Sequence, residues 1–422
     1  MTDAGLHRSI EAVWRMESTR LIAALVRMTH DVALAEDLAQ DALVAALSQW
    51  PDAGLPTSPG AWLMAVAKRR AIDGFRRRDR QDAAYADIAE RDGGRLVDDI
   101  EAAVDHVDDD VLRLMFICCH PALGADAQVS LTLRLLAGLT TGEIARCFLT
   151  SESTISARIT RAKKALAAVE APMEEPADDE RGERLAGVMR VVYLLFNEGY
   201  SATAGDDLLR PTLCEEAIRL GRILTGLVPD DPEVLGLVAL MELQHSRAAA
   251  RTDAGGVPVL LPAQDRSRWD GLLIRRGLAA LDRATTSGRV VGPYVLQAEI
   301  AACHARACTA DDTDWARIAE VYAVLAGVTG SAVVELNRVV AVSFADGPEA
   351  ALALLDGSDL SAALAGYHLL PSVRGDLLAR VGRTDEARAE LEAAASLTSN
   401  DRERRMLLQR AAALDRPEEA AS

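Results

Sequence analysis

Apolar residues recur three and four positions apart along the first third of the chain, which is the spacing of one face of a helix. This pattern predicts a helix over 10–28, a second over 33–49 and a third over 62–78. The text "WPDAGLPTSPG" predicts a loop between the second and third helices, with the second helix ending near Pro51. The polar, acidic text between Arg80 and His106 predicts a linker.

A second group of helices follows this linker. "VLRLMFICCH", stopped by Pro121, and "AQVSLTLRLLAG" predict two of them, and "TTGEIARCFL" and "SESTISARITRAKKAL" predict two more. Thr140 or Thr141 can cap the first helix of the latter pair, and Ser151 can cap the second. The pair therefore has the pattern of a helix-turn-helix.

From Arg184 to the end, about ten more amphipathic segments with short breaks predict a helical array. The most regular of them, "YHLLPSVRGDLLARVGRTDEARAELEAAASLTSN", resembles a tetratricopeptide hairpin with two helices joined at Gly382. The whole chain is predicted to be all-α.

Composition agrees with this prediction. Half of the 422 residues are apolar and only 4% are aromatic, which suits helices better than a β-sandwich. The start, "MTDAGLHRSIEAVW", has no apolar signal segment, and no apolar run reaches the roughly 18 residues of a membrane span. Six cysteines in no regular framework indicate a reducing compartment. We expect a cytoplasmic protein without a membrane partner.

The charged residues are unevenly distributed, so the net charge of the chain does not describe its local charge. The formal net charge is −18, which argues against bulk affinity for nucleic acid. Yet "KRRAIDGFRRRDR", from Lys68 to Arg80, holds seven cations, and the stretch from Arg158 to Lys164 holds four and no acid. Acidic text lies between these patches and again after Val169. The pattern predicts two separate DNA contacts.

The second helix of the helix-turn-helix pair carries the candidate base readers. In such proteins the first turns of this helix enter the major groove. The candidates there have short hydroxyl groups or a guanidinium: Ser151, Ser153, Thr154, Ser156 and Arg158. Arg161, Lys163 and Lys164 follow, where phosphate contacts are expected, while Ile155, Ile159 and Ala162 face the core. The alternative is an ordinary amphipathic hairpin with a solvated basic face.

Two motifs now resemble one family. "DVALAEDLAQDALVAALSQW" followed by "PGAWLMAVAKRRAIDGFRRRDR" resembles region two of bacterial extracytoplasmic-function sigma factors, and 140–166 resembles their region four. The remaining chain, with "FICCHPAL", "YLLFNEGYSA", "LCEEAIRLGRIL" and "QDRSRWD", resembles the subgroup that has a tetratricopeptide-like extension. Leu149 and Ser156 depart from the common pattern, so no promoter consensus is transferred.

The resemblance implies an order of domains. Region two would cover 1–80, an acidic linker 81–106, region four 107–168, a second acidic linker 169–183, and a helical-repeat regulatory domain 184–422.

The resemblance also implies partners and site residues. Region two would bind the β′ clamp helices of core RNA polymerase through Asp37, Leu38, Gln40 and Asp41. The β subunit of the polymerase is a further expected partner. The alternative for these residues is an acidic pair on a helix surface without a binding role. The minus-10 element of the promoter would be melted by Trp62, Lys68, Arg69, Arg70, Arg76, Arg77 and Arg78, since separated bases need stacking surfaces and charge neutralisation. The alternative for Trp62 is packing in the core, the usual place of a tryptophan on an apolar helical face. Region four would read the minus-35 element through the eight candidates from Ser151 to Lys164.

No chemistry beyond binding is indicated. Cys118, Cys119 and His120 lack the spacing of a metal site and are interpreted as buried small residues. No nucleotide-binding glycine loop or paired-carboxylate signal is present, so we predict no catalytic residues, metal or cofactor.

Three functions remain open from the sequence. The first is a sigma factor whose C-terminal domain contacts and regulates the sigma domains in cis. The second is a helix-turn-helix repressor or activator with a helical-repeat sensor domain, which would bind duplex DNA without polymerase. The third, an enzyme with its active site in the C-terminal half, has no residue constellation behind it.

Overall fold

The structure is a computed structural model that describes residues 3–85, 107–148, 150–169, 178–200, 211–253, 259–398 and 401–414. The chain divides into two compact units, 1–229 and 230–422, called here the first and second unit. The elements in the described ranges are α-helices and short 3-10 turns, in agreement with the all-α prediction.

The first unit begins with three long helices, α1 (Asp3–Thr29), α2 (Val32–Ala53) and α3 (Pro59–Tyr85). The Asp31 carboxylate starts α2, because it accepts hydrogen bonds from the backbone N–H groups of Ala33 and Leu34 at 2.7 and 3.1 Å. The predicted end of α2 near Pro51 is too early, since the helix continues for one turn and closes with the Gly54 N–H donating to the Trp50 carbonyl at 2.9 Å. Helix α3 likewise extends five residues into the predicted linker 81–106, and the rest of that linker lies outside the described residues.

Four shorter helices follow, in the predicted places: α4 (Val107–Cys118), α5 (Ala125–Leu135), α6 (Thr141–Cys147) and α7 (Glu152–Ala167). Helices α6 and α7 form the predicted helix-turn-helix pair.

The next two helices, α8 (Asp178–Tyr200) and α9 (Pro211–Leu227), also belong to the first unit. Helix α8 begins inside the predicted linker 169–183, and the unit boundary lies after Pro229, whereas the sequence suggested a new domain at 184. Helix α8 packs on α4 and α5, and α9 packs on α8 and α4. Gly199 permits the close approach of α9, because a Cβ there would lie 2.8 Å from the Cys214 backbone nitrogen.

Helix α1 joins the two halves of the first unit. It packs against α2 and α3 on one side and against α4 and α5 on the other. The helices that resemble region two therefore share a core with those that resemble region four.

The second unit is a series of ten helices within its described residues, and most of them pack on a sequence neighbour. They are α10 (Pro232–His245), α11 (Gly271–Thr286), α12 (Pro293–Arg306), α13 (Trp315–Thr329), α14 (Ala332–Ala345), α15 (Pro348–Asp356), α16 (Leu360–Ala363), α17 (Leu369–Arg380), α18 (Thr384–Leu397) and α19 (Asp401–Ala413). Gly382 joins α17 to α18 with φ of 81°, as the predicted hairpin requires.

Among the residues that the structure describes, none of the helices combines the length and apolar character that crossing a membrane needs.

Candidate nucleic-acid interface

Capping interactions fix both helices of the helix-turn-helix pair. The Thr140 hydroxyl accepts from the Glu143 backbone N–H at 3.1 Å, and the Glu143 carboxylate accepts from the Thr140 N–H at 2.7 Å. This capping box starts α6. The Ser151 hydroxyl accepts from the Thr154 N–H at 3.1 Å and starts α7. Ser151 caps α7 as predicted, and of the two candidates that the sequence offered for α6, Thr140 and Thr141, the structure places the cap at Thr140.

Helix α7 has one buried and one exposed face. Ile155, Ile159 and Ala162 are buried, as predicted, together with Leu166. The exposed face carries most of the predicted minus-35 residues, namely Ser151, Ser153, Thr154, Ser156, Arg161 and Lys164. This face therefore presents hydroxyl groups along its first turns and cations further along, the arrangement that major-groove reading and phosphate contact require.

The two remaining candidates of α7 are engaged within the protein. Arg158 forms an ion pair with Asp126 of α5, with 3.1 Å between Nη2 and Oδ2. Lys163 is half-buried and forms an ion pair with Glu36 of α2. DNA contact through either cation would replace these pairs.

Helix α3 carries the predicted minus-10 residues. The half-buried Trp62 ring lies edge-on to the buried Trp50, with 5.2 Å between ring centroids, so it serves the core and keeps an accessible part. Arg69 and Arg76 are exposed, and Lys68 and Arg70 are half-buried. Arg77 and Arg78 lie on α3, but their side chains are outside the described residues.

The predicted polymerase-binding residues of α2 do not all share one surface. Asp37 and Asp41 are exposed, and Asp41 pairs with Arg70 of α3 at 2.9 Å. Leu38 is only 7% exposed, because it shares the buried side of α2 with the alanines that pack there, so the prediction of a surface contact at Leu38 is not supported. Gln40 is half-buried and donates to the Glu36 carboxylate at 2.7 Å.

Two apolar residues extend the exposed face of α2. Val44 is 60% exposed and Leu47 is 39% exposed. Asp37, Asp41 and Val44 are spaced by four and three residues, which places them on one side of the helix. The sequence analysis missed Val44, although its helical spacing from the two aspartates could have revealed it.

Glu36 connects the α2 helix to the helix-turn-helix segment. Its side chain is buried, and Oε1 lies 2.6 Å from Arg134 Nε of α5, while Oε2 pairs with Lys163 of α7. Burial raises the pKa of this carboxyl group, but the charges of Arg134 and Lys163 and their hydrogen bonds outweigh burial, so the pKa is lowered overall. Glu36 is therefore a buried anion held by two cations.

Other contacts reinforce the same junction. The Leu136 carbonyl, just after α5, accepts from the Thr19 hydroxyl of α1 at 2.8 Å and from the Arg219 guanidinium of α9 at 2.6 Å. Arg27 of α1 pairs with the buried Asp110 of α4 at 2.9 Å. The helices before the helix-turn-helix pair are thus held by α1 on one side and by α9 on the other.

Cys118 and Cys119 lie in the core, as predicted, whereas His120 is only half-buried and its Nδ1 accepts from the Ala122 N–H at 3.1 Å, so the prediction of burial is wrong for His120. Cys118 and Cys119 are buried, and burial raises the pKa of the Cys119 thiol to about 12. The Cys119 Sγ lies 3.8 Å from the Thr132 hydroxyl. Within the described ranges, no group of three or more histidine, cysteine or acidic side chains is placed to hold a metal ion.

Comparison with known families identifies three segments. Residues 14–81 match Sigma-70 region 2, and residues 113–166 match Sigma-70 region 4. Residues 184–285 match a family of unknown function, DUF6596, which spans α8, α9 and the start of the second unit.

Comparisons with individual proteins give relatives of two kinds. An uncharacterized protein of Rhizobium meliloti is 44% identical over 405 residues, which cover 95% of this chain and 94% of that protein. A probable ECF RNA polymerase sigma factor, SigI of Mycobacterium tuberculosis, is 28% identical over 159 residues, or 37% of this chain and 54% of that protein. No solved structure matches the chain. With both sigma regions in order on the helices described above, this chain belongs to the extracytoplasmic-function RNA polymerase sigma factors and carries a helical C-terminal extension.

Proposed function

We propose that this sigma factor binds core RNA polymerase through α2, melts the minus-10 element with α3 and reads the minus-35 element with α7. The observation that carries the proposal is the placement of exposed cations on α3 and α7 in a chain whose net charge is −18. Local positive charge in an acidic protein supports DNA contact at these helices and disfavours it elsewhere. Polymerase and DNA meet in the bacterial cytoplasm, where we expect the protein to act without enzymatic activity of its own.

The exposed face of α2 supports the polymerase contact. Asp37 and Asp41 supply charge, and Val44 and Leu47 supply exposed apolar area beside them. Such a mixture is typical of the patches that bind another protein. The β′ clamp helices are the expected partner, and charge reversal at Asp37 should weaken binding of core polymerase, whereas the same reversal at the exposed Glu11 of α1 should not.

A transcription experiment tests this function. Core polymerase would transcribe fragmented genomic DNA of the source organism with and without the full chain, and transcript starts would be mapped by sequencing. New starts that share two spaced upstream elements are expected. Binding of duplex DNA without polymerase and without new starts would favour a repressor or activator instead.

We also infer regulation in cis by the extension. Helices α8 and α9 are its first part, and they pack on α4 and α5 within the first unit. Arg219 of α9 and Thr19 of α1 donate to the same Leu136 carbonyl, next to the helix-turn-helix pair. Our proposal is that α8 and α9 stabilise the arrangement in which Lys163 is paired with Glu36. Because Lys163 is then not available to DNA, the free protein would bind promoters more weakly.

Substitution at the α9 contact tests the regulation. A hydrogen bond from a charged donor is worth about 1.5–3 kcal/mol, so Arg219→Gln should raise promoter-dependent transcription roughly tenfold at limiting sigma factor. Arg181→Gln, on the exposed start of α8, is the matched control. Unchanged transcription by a folded Arg219→Gln variant would remove this contact from regulation and leave the sigma activity standing.

A further inference from the structure

A pocket of about 240 Å³ lies inside the second unit, between α10, α12, α13 and α14. The aromatic side chains of Trp269 and Tyr322 form part of its wall, and the remaining apolar wall comes mainly from leucine and isoleucine side chains. Its volume is somewhat below the roughly 300–1,000 Å³ of pockets that hold drug-sized ligands. The pocket therefore suits a small molecule.

The polar groups of this pocket are mostly hydrogen-bond donors or amides. Arg247 contributes a guanidinium, and Gln244, Gln297 and Asn337 contribute carboxamides. The described residues that line the pocket include no aspartate or glutamate. The site consequently favours an anion over a cation.

His304, on the pocket wall, lies near two guanidinium groups that affect its pKa. The pKa of His304 is lowered to about 4, first by burial and then by the charges of Arg247 and Arg266. The imidazole is therefore neutral at pH 7, and the guanidinium groups supply the positive charge.

An unsatisfied donor gives independent support for a ligand. Trp269 is only 9% exposed, and its indole Nε1 has no hydrogen-bond partner in the part of the chain that the structure describes. The Arg266 guanidinium lies over the Trp269 ring, with its Cζ 4.7 Å from the ring centroid. Buried polar groups in folded proteins are nearly always paired, so an acceptor is expected at this N–H.

We propose that this pocket binds a small organic carboxylate with a flat apolar body. The carboxylate would accept hydrogen bonds from the Arg247 guanidinium and the Trp269 Nε1–H, with Gln244 and Asn337 beside it, and the apolar body would pack against Tyr322 and the aliphatic wall. Charge-assisted hydrogen bonds from a guanidinium suit a carboxylate, and the aromatic walls suit an aryl ring. The lining residues belong to the second unit and the helices proposed to bind polymerase and DNA belong to the first, so the existence of the site does not depend on the proposed function.

Calorimetric titration of the full-length chain tests the site. The probes are benzoate, salicylate, phenylacetate and indole-3-acetate, each compared with its uncharged primary amide. At least one carboxylate should bind, and its amide should bind at least tenfold more weakly because the charge is lost.

Variants locate the binding. Arg247→Gln should raise the Kd of the bound carboxylate about tenfold or more, and Trp269→Phe, which keeps a ring but removes the N–H, should weaken binding several-fold. Asn337→Leu removes a carboxamide of the pocket at an exposed position, where the fold should tolerate the change, and it should also weaken binding. Arg276→Gln removes a cation from an exposed position on α11 and should have no effect.

The proposal is overturned if no carboxylate of the panel binds, if the amides bind equally well, or if binding survives Arg247→Gln and Asn337→Leu unchanged. Transcription assays play no part in this test, so failure of the sigma proposal would leave its outcome intact.

Discussion

Glu36 and Arg134 form an ion pair with 2.6 Å between Oε1 and Nε, although 98 residues separate them along the chain. Lys163 completes the contact from the helix that we expect to bind promoter DNA. One buried carboxylate thus links the helix proposed to bind polymerase with the helix proposed to read the minus-35 element. The contact explains how two segments with separate binding tasks can be held together in the free protein.

Removal of this carboxylate should destabilise the first unit. Glu36→Gln leaves Arg134 and Lys163 partly buried without their anion, and loss of one partner of a buried pair costs about 3 kcal/mol or more. Urea unfolding measures the change. Asp41→Asn is the control, since it breaks an exposed pair with Arg70 that should contribute less than about 1 kcal/mol. Equal effects of the two substitutions would contradict the structural role of Glu36.

The ionisation of Glu36 should make the stability of the first unit depend on pH. The pKa of Glu36 is lower in the folded chain than its ordinary value of 4.5, so its stabilising effect is present above pH 4.5 and is lost as pH falls through the folded value. The difference in unfolding free energy between wild type and Glu36→Gln should therefore shrink on going from pH 6 to below pH 4. A difference that stays constant across this range would exclude the proposed ionisation.

The pKa of His304 predicts that the stability of the second unit depends on pH over a different range. Its pKa is about 4 in the folded chain against an ordinary 6.5, so the unfolded chain takes up the proton first as pH falls. Stability from this group is complete above pH 6.5 and decreases by about 3 kcal/mol down to pH 4, at 1.36 kcal/mol per pKa unit. Calorimetric melting of wild type and His304→Asn across this range measures it. The variant should show a flatter profile between pH 6.5 and 4.

Truncation should distinguish two possible domain boundaries. Residues 1–229 should form a folded, monodisperse protein, because they include α8 and α9 with their buried side chains, such as Phe196 and Leu213. Residues 1–180 lack those helices and expose the surfaces of α4 and α5 against which α8 packs, so aggregation or a lower melting temperature is expected. Size-exclusion chromatography and thermal melting compare the two fragments. Equal stability would place the boundary at the second acidic segment instead.

The exposed end of α7 should contribute phosphate contacts. Lys164→Gln should weaken binding of the polymerase complex to all promoters by a similar factor and lower the salt slope of log K by about 0.9, the value for one contact. Fluorescence anisotropy over a range of salt concentrations measures the slope. Arg181→Gln, an exposed cation of α8 away from this face, should leave the slope unchanged. A change in promoter preference without a change of slope would instead assign Lys164 to base reading.

The sequence by itself determined the local features of this protein. Helical periodicity predicted most helices. Residue type predicted the cap at Ser151 and narrowed the cap of α6 to Thr140 or Thr141, because capping depends on side chains within three positions. The buried and exposed faces of α7 were also predicted, since a single helix fixes them. The two sigma motifs gave the family for the same reason: each lies within one continuous stretch of chain.

Only the tertiary structure decided which distant residues meet. The burial of Leu38, the use of Lys163 by Glu36 and the inclusion of α8 and α9 in the first unit all depend on packing between segments far apart in the chain. Periodicity identifies an apolar face but not the helix that covers it, and a charge pattern does not name its partner. A buried charge is costly unless it is paired. Glu36 is the carboxylate that packing buries between the helices, so it pairs with Arg134 and Lys163, whereas Asp37 and Asp41 remain exposed.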